Sequence, residues 1–521
     1  MDNKESFWQE KAGGMTKKAS SREIWRHNGG GQGRDLGKER RKGMKNLTFY
    51  NITKACGGRL YHYCPEQEQE VEGVVLDSRL VQKGYLFIAT KGERVDGHCF
   101  ISQVCKKGAA GIVCEKLPEE CEIPCILVED SFQALKDIAE FYRQQLSIKI
   151  VGVTGSVGKT STKEAIAAVL STRYQVGKTE GNFNNEIGLP LTILKIRDHH
   201  QVAVVEMGIS DFGEMHRLSK IARPDICVLT NIGQCHLENL KSREGILQAK
   251  TEIFDFMQED GLVCLNGDDD MLKTVTQVKG REPIAFGLSA SHRIYASSVE
   301  NRGLFGSRIK VHVENREFLM DIPLPGEHMV YNALAAVCVG RLMGIGEEDI
   351  VKGMESLQPV GGRSHVIRLE NRVIIDDCYN ANPVSMCAAL DLLSTALTRR
   401  VAVLGDMFEL GEEEQQMHET VGSYAMEGKT DLLICIGTLA KAMYTAACQR
   451  AEEKQAQETG KDVVAAEKGY SLENIYYFKE KEEFLKQSED ILQPGDTVLV
   501  KASHGMAFGE IVKALEGKAE T

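Results

Sequence analysis

The apolar positions of this 521-residue chain change rhythm along its length. Short unbroken apolar runs bounded by Gly, Asp or Asn recur as "IKIVGVTG", "VAVVEMG", "DICVLTN" and "GLVCLN". Runs of this kind predict strands buried on both faces. Between them lie stretches with helical spacing, such as "KTSTKEAIAAVLSTR", and the series closes on a long helix in "LPGEHMVYNALAAVCVGRLMGI". Alternation of strand and helix predicts a mostly parallel sheet with helices on both faces.

A second alternating series begins near residue 360. Its strands are "RVIIDDC", "RVAVLGD", "DLLICIG", "NIYYF" and "DTVLVKAS". Helices follow the first three, and "AFGEIVKALEG" follows the last. This predicts a separate Rossmann-like unit, but no G-x-G-x-x-G is present to hold a dinucleotide. "AEEKQAQETGKDVVAAEKG" reads as a polar surface insertion. Residues 44 to 146 carry shorter elements, including the amphipathic "SFQALKDIAEFYRQQL". The chain therefore reads as an α/β protein of three domains: 44–146, a central domain 147–358, and a C-terminal Rossmann-like domain 359–521. Residues 1–43 have no apolar periodicity and no signal-peptide core, so they read as a disordered tail or a start placed upstream of Met44.

Composition narrows the picture. No apolar window is long enough to span a bilayer, which predicts a soluble protein. The fifteen Cys are scattered and lack zinc-ribbon spacing, which predicts reduced thiols in a cytosol. The net charge is −12. Residues 1–43 carry eleven basic and six acidic side chains, so the remaining body is more acidic still. An acidic body argues against nucleic-acid binding.

The chemistry starts at "VTGSVGKTST", residues 153 to 162. The common phosphate loop is G-x-x-x-x-G-K-[ST], and here Val153 stands where its first Gly would be. The context is still right, with a strand running in and a helix running out. Gly155, Ser156, Val157, Gly158, Lys159, Thr160 and Ser161 would present backbone N–H groups and a helix N-terminus to phosphate. Lys159 would neutralise the terminal phosphates of ATP, and Thr160 would ligate Mg²⁺. Glu206 ends the strand "VAVVEMG", and His236 follows "DICVLTN"; both sit where ligands bind in such sheets. Lys250, in "GILQAKTEIF", reads on its own as an ordinary helix lysine. Asn182, Asn184 and Asn185 would recognise a sugar or peptide, or only shape a turn. In "DDCYNANPVSM", Asp376 and Asp377 would meet ribose, Mg²⁺ or an amine, while Asn380 to Pro383 also fit a helix entry.

Taken together, "TGSVGKTS", Glu206, "NIGQCHLE", "AKTEIF", "GEHMVYNALAA" and "DDCYNANP" occur in the order seen in the Mur ligases. The chain resembles that family from Met44 to its end. The family comprises cytoplasmic, ATP-dependent, amide-forming ligases of peptidoglycan synthesis, and its phosphate loop is also one glycine short. "DDCYNANP", "VLGDMFELGEEEQQMH" and "EGNFNNEIGLPLTIL" resemble the members that join D-alanyl-D-alanine to UDP-N-acetylmuramoyl-tripeptide.

The resemblance implies three domains: a small N-terminal UDP-binding domain, a central P-loop ATPase and a C-terminal ligase domain. It implies ATP and Mg²⁺, a monomer, and no nucleic-acid or membrane partner. Thr160 and Glu206 would hold one Mg²⁺ and His236 a second, joined by Lys250 if carbamylated. Asn332 would approach adenine, Arg363 the γ-phosphate and Asp377 the ribose. Ser78 and Arg79 would sit near the uridine diphosphate, and Asn380 and Asn382 would place the dipeptide. Two departures stand out. Ala502 replaces a usual Gly in "VLVKASHGM", and "PVGGRSHV" has an extra Gly before Arg363. The competing readings are a sister ligase that adds a single amino acid and a non-catalytic nucleotide-dependent switch.

Overall fold

The computed structural model describes residues 43–92, 95–119, 121–458 and 472–517. Residues 1–42 of the N-terminal segment lie outside them. Three sheets organise the chain.

The first has strands β1 (Arg59–Tyr61), β2 (Gly73–Val75), β3 (Tyr85–Ile88), β4 (Gly111–Cys114) and β5 (Cys125–Leu127), in the order β1-β5-β4-β3-β2. Only the β1–β5 pair is antiparallel. The helix Ser131–Gln145 starts where the Asp130 carboxylate accepts the N–H groups of Phe132 and Gln133. Its buried stripe of Ala134, Leu135, Ile138, Ala139 and Tyr142 does not face the first sheet alone. It belongs to a core that also contains Leu189, Ile193, Leu218 and Ile253 of the second unit. Arg143 crosses the same boundary, its Nε donating to the Ala222 carbonyl at 2.7 Å. Apolar burial therefore fuses the first two units.

The second sheet has nine strands: β6 (Lys149–Thr154), β7 (Val176–Lys178), β8 (Val202–Glu206), β9 (Ile226–Leu229), β10 (Leu262–Asn266), β11 (Ile284–Gly287), β12 (Ile294–Asn301), β13 (Ser307–Val313) and β14 (Arg316–Ile322). Their order is β14-β13-β12-β11-β10-β9-β6-β8-β7. The chain leaves β6 to one side for β7 and β8, then returns to its other side for β9. β6 is thus the switch point, and a crevice opens beyond its carboxyl end. The sheet is mostly parallel, as the pattern predicts. Its far edge is a β12–β13–β14 antiparallel meander that the alternating reading does not anticipate. The sequence does carry a signal for it: β13 alternates buried and half-buried positions throughout, the period of a sheet with one covered face. The helix His328–Leu342 is apolar on nearly all sides because it is buried against the helix Lys159–Leu170 and the sheet.

The third sheet comprises β15 (His365–Arg368), β16 (Val373–Asp376), β17 (Arg400–Gly405), β18 (Leu432–Ile436), β19 (Ile475–Phe478) and β20 (Thr497–Lys501), in the order β15-β16-β20-β17-β18-β19. All neighbours are parallel except β15–β16. A core lies on each face. Two readings are corrected here. A helix, Lys481–Ile491, follows "NIYYF", with Phe484 filling the core. The first eight residues of the supposed polar insertion continue the helix Ala440–Glu458, because Ala440, Met443, Ala447 and Ala451 form a buried stripe. Residues 459–471 lie outside the described residues. Among the described residues no helix is long and apolar enough to cross a membrane.

Candidate active site

The loop after β6 is shaped by two glycines. Gly155 has φ 152°, and a Cβ there would stand 1.9 Å from Thr230 Oγ1. Gly158, at φ 82°, precedes the helix Lys159–Leu170. The loop is laced to the end of β9. Val157 N donates to Asn231 Oδ1 at 2.9 Å, Ser156 N donates to the Asn231 carbonyl at 3.0 Å, and Thr230 Oγ1 donates to the Val157 carbonyl at 2.7 Å. Lys159 folds back so that its Nζ donates to the Gly155 carbonyl at 2.8 Å.

Beside the loop, at the end of β8, lies Glu206. Thr160 Oγ1 donates to its Oε2 at 2.7 Å, and Asn184 Nδ2 donates to its Oε1 at 2.8 Å. Parallel pairing of Val153 with Glu206 sets this meeting. Lys163, one turn further along the helix, is buried; its Nζ donates to the Thr179 carbonyl at 2.7 Å and lies 3.9 Å from Glu206 Oε2. Sequence reading missed both Lys163 and Asn231, although "GKTSTKE" places Lys163 one turn after Lys159.

His236 sits in a left-handed turn (φ 52°), with its Nδ1 3.2 Å from Glu409 Oε2 of the third unit. Burial lowers the imidazole pKa, opposed by Glu409. Lys250 is not a solvated helix lysine. It is fully buried, its Nζ has no hydrogen-bond partner, and burial, aided by the nearby Lys159 charge, pushes its pKa down to about 8.

The third unit contributes the facing wall. Its turn at residues 360–364 is pinned by β16: Gly362 N donates to Asp376 Oδ2 at 2.9 Å and Ser364 N to Asp377 Oδ1 at 2.8 Å. The other Asp377 oxygen accepts from buried Lys501 at 2.6 Å. Arg363 projects from this turn over the Tyr379 ring. Asn382 caps the helix Pro383–Ser394 in a reciprocal box with Ser385, and the Asn380 side chain accepts from Ala381 N.

Between these walls is a cleft of about 1150 Å³, lined by Lys159, Glu206 and His236 on one side and by Arg363, Asp377 and Asn380 on the other. Asn182, Asn184, Asn185 and Asn382 also line it. Asn185 is partly occupied as a turn former, accepting from Ile187 N and Gly188 N. A second cavity of about 450 Å³ adjoins the loop and contains Asn332, whose Oδ1 accepts the Thr162 hydroxyl at 2.8 Å. The extra glycine, Gly361, leaves Arg363 in the cleft wall. Ser78 and Arg79 are not in that wall. Arg79 is exposed and paired with its own neighbour Asp77, and the Ser78 carbonyl accepts from Lys107. Among the described residues no three His, Cys, Asp or Glu side chains gather as a metal cluster.

Comparison with known proteins adds a family. Residues 153–340 match the family model described as Mur ligase middle domain, 362–504 the Mur ligase glutamate ligase domain, and 70–143 the Mur ligase family catalytic domain. The UDP-N-acetylmuramoyl-tripeptide–D-alanyl-D-alanine ligase of Bacillus subtilis is 37% identical over 91% of this chain and 99% of its own length. The Escherichia coli protein of the same name is 33% identical over 91% and 99%. Among solved structures, MurF from Acinetobacter baumannii superposes with a TM-score of 0.79 at 29% identity, covering 90% of this chain and 98% of its own. MurF ligase from Thermotoga maritima in complex with ADP gives 0.72 at 29% identity, covering 86% and 97%.

Proposed function

The chain belongs to the Mur ligase family, and from that premise we propose that it joins D-alanyl-D-alanine to the terminal carboxylate of UDP-N-acetylmuramoyl-tripeptide, using ATP and releasing ADP and phosphate. The relatives that span most of the chain carry that name. The observation that carries the reading is the two-walled cleft, with Lys159 and Glu206 on one unit facing Arg363 and Asn380 on another. A nucleotide switch needs the first wall only.

A carboxylate and an amine do not condense in neutral water, because oxide is too poor a leaving group. Transfer of the ATP γ-phosphoryl to the carboxylate gives an acyl phosphate, from which phosphate leaves readily. In this reading residues 155–161 cradle the ATP phosphates through backbone N–H groups and the helix N-terminus. Asn332 lies by the adenine. Lys159 leaves the Gly155 carbonyl to meet the phosphates, and Arg363 stabilises the moving phosphoryl charge from the opposite wall. The amine of the dipeptide then attacks the acyl carbon, with Asn380 and the Asn182–Asn185 loop placing the substrates. Asp377, tied to Ser364 and Lys501, holds the Arg363 turn in the cleft wall, where the ribose would lie. Closure of the third unit excludes the water that would hydrolyse the intermediate.

The residues fit magnesium. The ion is commonly held by one or two protein oxygens plus phosphates and water, and Thr160 Oγ1 with Glu206 supplies such a pair. His236 would stand by a second ion. Lys250 suits carbamylation, because a buried ammonium without a partner would become an anionic oxygen donor. When bound, magnesium neutralises phosphate charge as it develops. Residues 44–146 would hold the UDP end through Ser78 and Arg79, and the enzyme would work as a cytoplasmic monomer. Incubation with ATP, Mg²⁺, the UDP-tripeptide and D-alanyl-D-alanine tests the reading. Phosphate release dependent on both acceptor substrates, with a product heavier by the dipeptide less water, supports it; release that ignores either substrate refutes it.

A further inference from the structure

The backbone of the turn that carries Arg363 is held by carboxylates, but its guanidinium is not. Asp376 spends its oxygens on Gly362 N and the Cys378 thiol, and Asp377 spends its own on Ser364 N and Lys501. The guanidinium carbon of Arg363 lies instead 3.9 Å from the centre of the Tyr379 ring. Tyr379 is itself fixed at both ends. Its N–H donates to the Gly362 carbonyl at 2.9 Å, and its ring meets His504 edge to face at 5.6 Å with the planes 66° apart. The Arg363 Nε is buried and has no hydrogen-bond partner.

The difference between the two kinds of partner matters. A carboxylate holds a guanidinium by consuming its N–H donors, commonly two at once. An aromatic face attracts the cation through the ring quadrupole and leaves the N–H edge free. A residue that must grip a phosphoryl oxygen in the transition state is better pre-set by a ring than by a competing anion.

We propose that Tyr379, braced by His504, is a positioning residue that holds the Arg363 guanidinium in the cleft with its donors free for a phosphoryl oxygen. The proposal rests on the ligase reading above. It assigns the work to the ring face of Tyr379, with the Tyr379 hydroxyl, which also hydrogen-bonds Arg363, as a secondary contact.

Steady-state ligase assays on five variants test it, with folding checked by thermal melting. Tyr379→Leu is expected to lower kcat about tenfold or more, leaving the KM for D-alanyl-D-alanine within about threefold. Tyr379→Phe, which keeps the ring, is expected to restore kcat. In an Arg363→Ala background, Tyr379→Leu is expected to cost nothing further, because the group it positions is gone. Should Tyr379→Leu melt early, Tyr379→Met, which keeps bulk without a ring, is expected to show the same kcat loss. A Phe variant as damaged as the Leu variant would overturn the proposal, and so would additive losses in the double mutant. An Arg363→Ala enzyme with wild-type kcat would refute the phosphate role of Arg363 and the platform with it. A wild-type protein that releases no phosphate would refute the ligase reading itself.

Discussion

Thr160 Oγ1 donates a 2.7 Å hydrogen bond to Glu206 Oε2, joining the first turn after the phosphate loop to the end of the neighbouring strand. The two oxygens form one unit, and removing either should loosen magnesium. Glu206→Gln keeps the shape and the hydrogen bond from Asn184 but loses the charge. It is expected to raise the Mg²⁺ concentration needed for half-maximal activity by about tenfold or more, the scale of a lost charged oxygen ligand. Titration of activity against Mg²⁺ measures this, and an unchanged midpoint would remove Glu206 from the metal site.

Lys159 makes its contacts with loop carbonyls, so the fold does not depend on it. Lys159→Ala is expected to keep the wild-type melting temperature while kcat falls by at least about a hundredfold, the scale of removing one pre-set donor to a charged transition state. Substantial retained activity would refute the loop's role in phosphate transfer.

Gly155 has no room for a side chain, since a Cβ would meet Thr230 Oγ1 at 1.9 Å. Gly155→Ala should therefore push the loop off the end of β9 and weaken ADP binding by about tenfold or more, at a cost of roughly 1–3 kcal/mol in backbone strain. Isothermal titration with ADP reads this directly.

Lys250 is buried without a partner, and burial holds its pKa near 8. Lys250→Ala should lose activity, and short carboxylates such as formate or acetate should restore part of it by filling the space of a carbamate. Full activity in the unsupplemented mutant would exclude carbamylation.

Glu164 links electrostatics to pH. Burial raises its pKa, but hydrogen bonds and charge from Lys178 and Lys163 outweigh burial and leave it below its ordinary 4.5. A depressed carboxylate stabilises the fold above its unfolded pKa, and that stability is lost as pH falls through the folded value. Wild type should therefore melt above Glu164→Gln at neutral pH, with the gap narrowing as pH drops below about 4.5. A gap that stays constant in acid would contradict the assignment.

How much of this was legible in the sequence depended on distance along the chain. The phosphate loop, Glu206 and the alternation of strand and helix follow from local patterns, because a strand end and a helix start lie within a few residues of each other. Lys163 could have been found the same way. Asn231 could not, since it holds Val157 from 74 residues away. The stacking of Arg363 on Tyr379, the closeness of His236 to Glu409, and the burial of Lys250 all depend on how units pack. The helix Ser131–Gln145 was visible as amphipathic, but nothing local said that its apolar stripe would seal the first unit to the second. The β12–β14 meander is hard to read because β12 is exposed over most of its length, β14 carries charge on both faces, and only β13 alternates cleanly.

The central claim is that ATP activates the tripeptide carboxylate as an acyl phosphate. The most direct measurement uses UDP-tripeptide labelled with ¹⁸O in its terminal carboxylate, followed by mass analysis of the phosphate released. The account predicts one ¹⁸O atom in each phosphate, because the oxygen that receives the phosphoryl group departs with it when the amine attacks. Phosphate without label, formed alongside the ligated product, would contradict it.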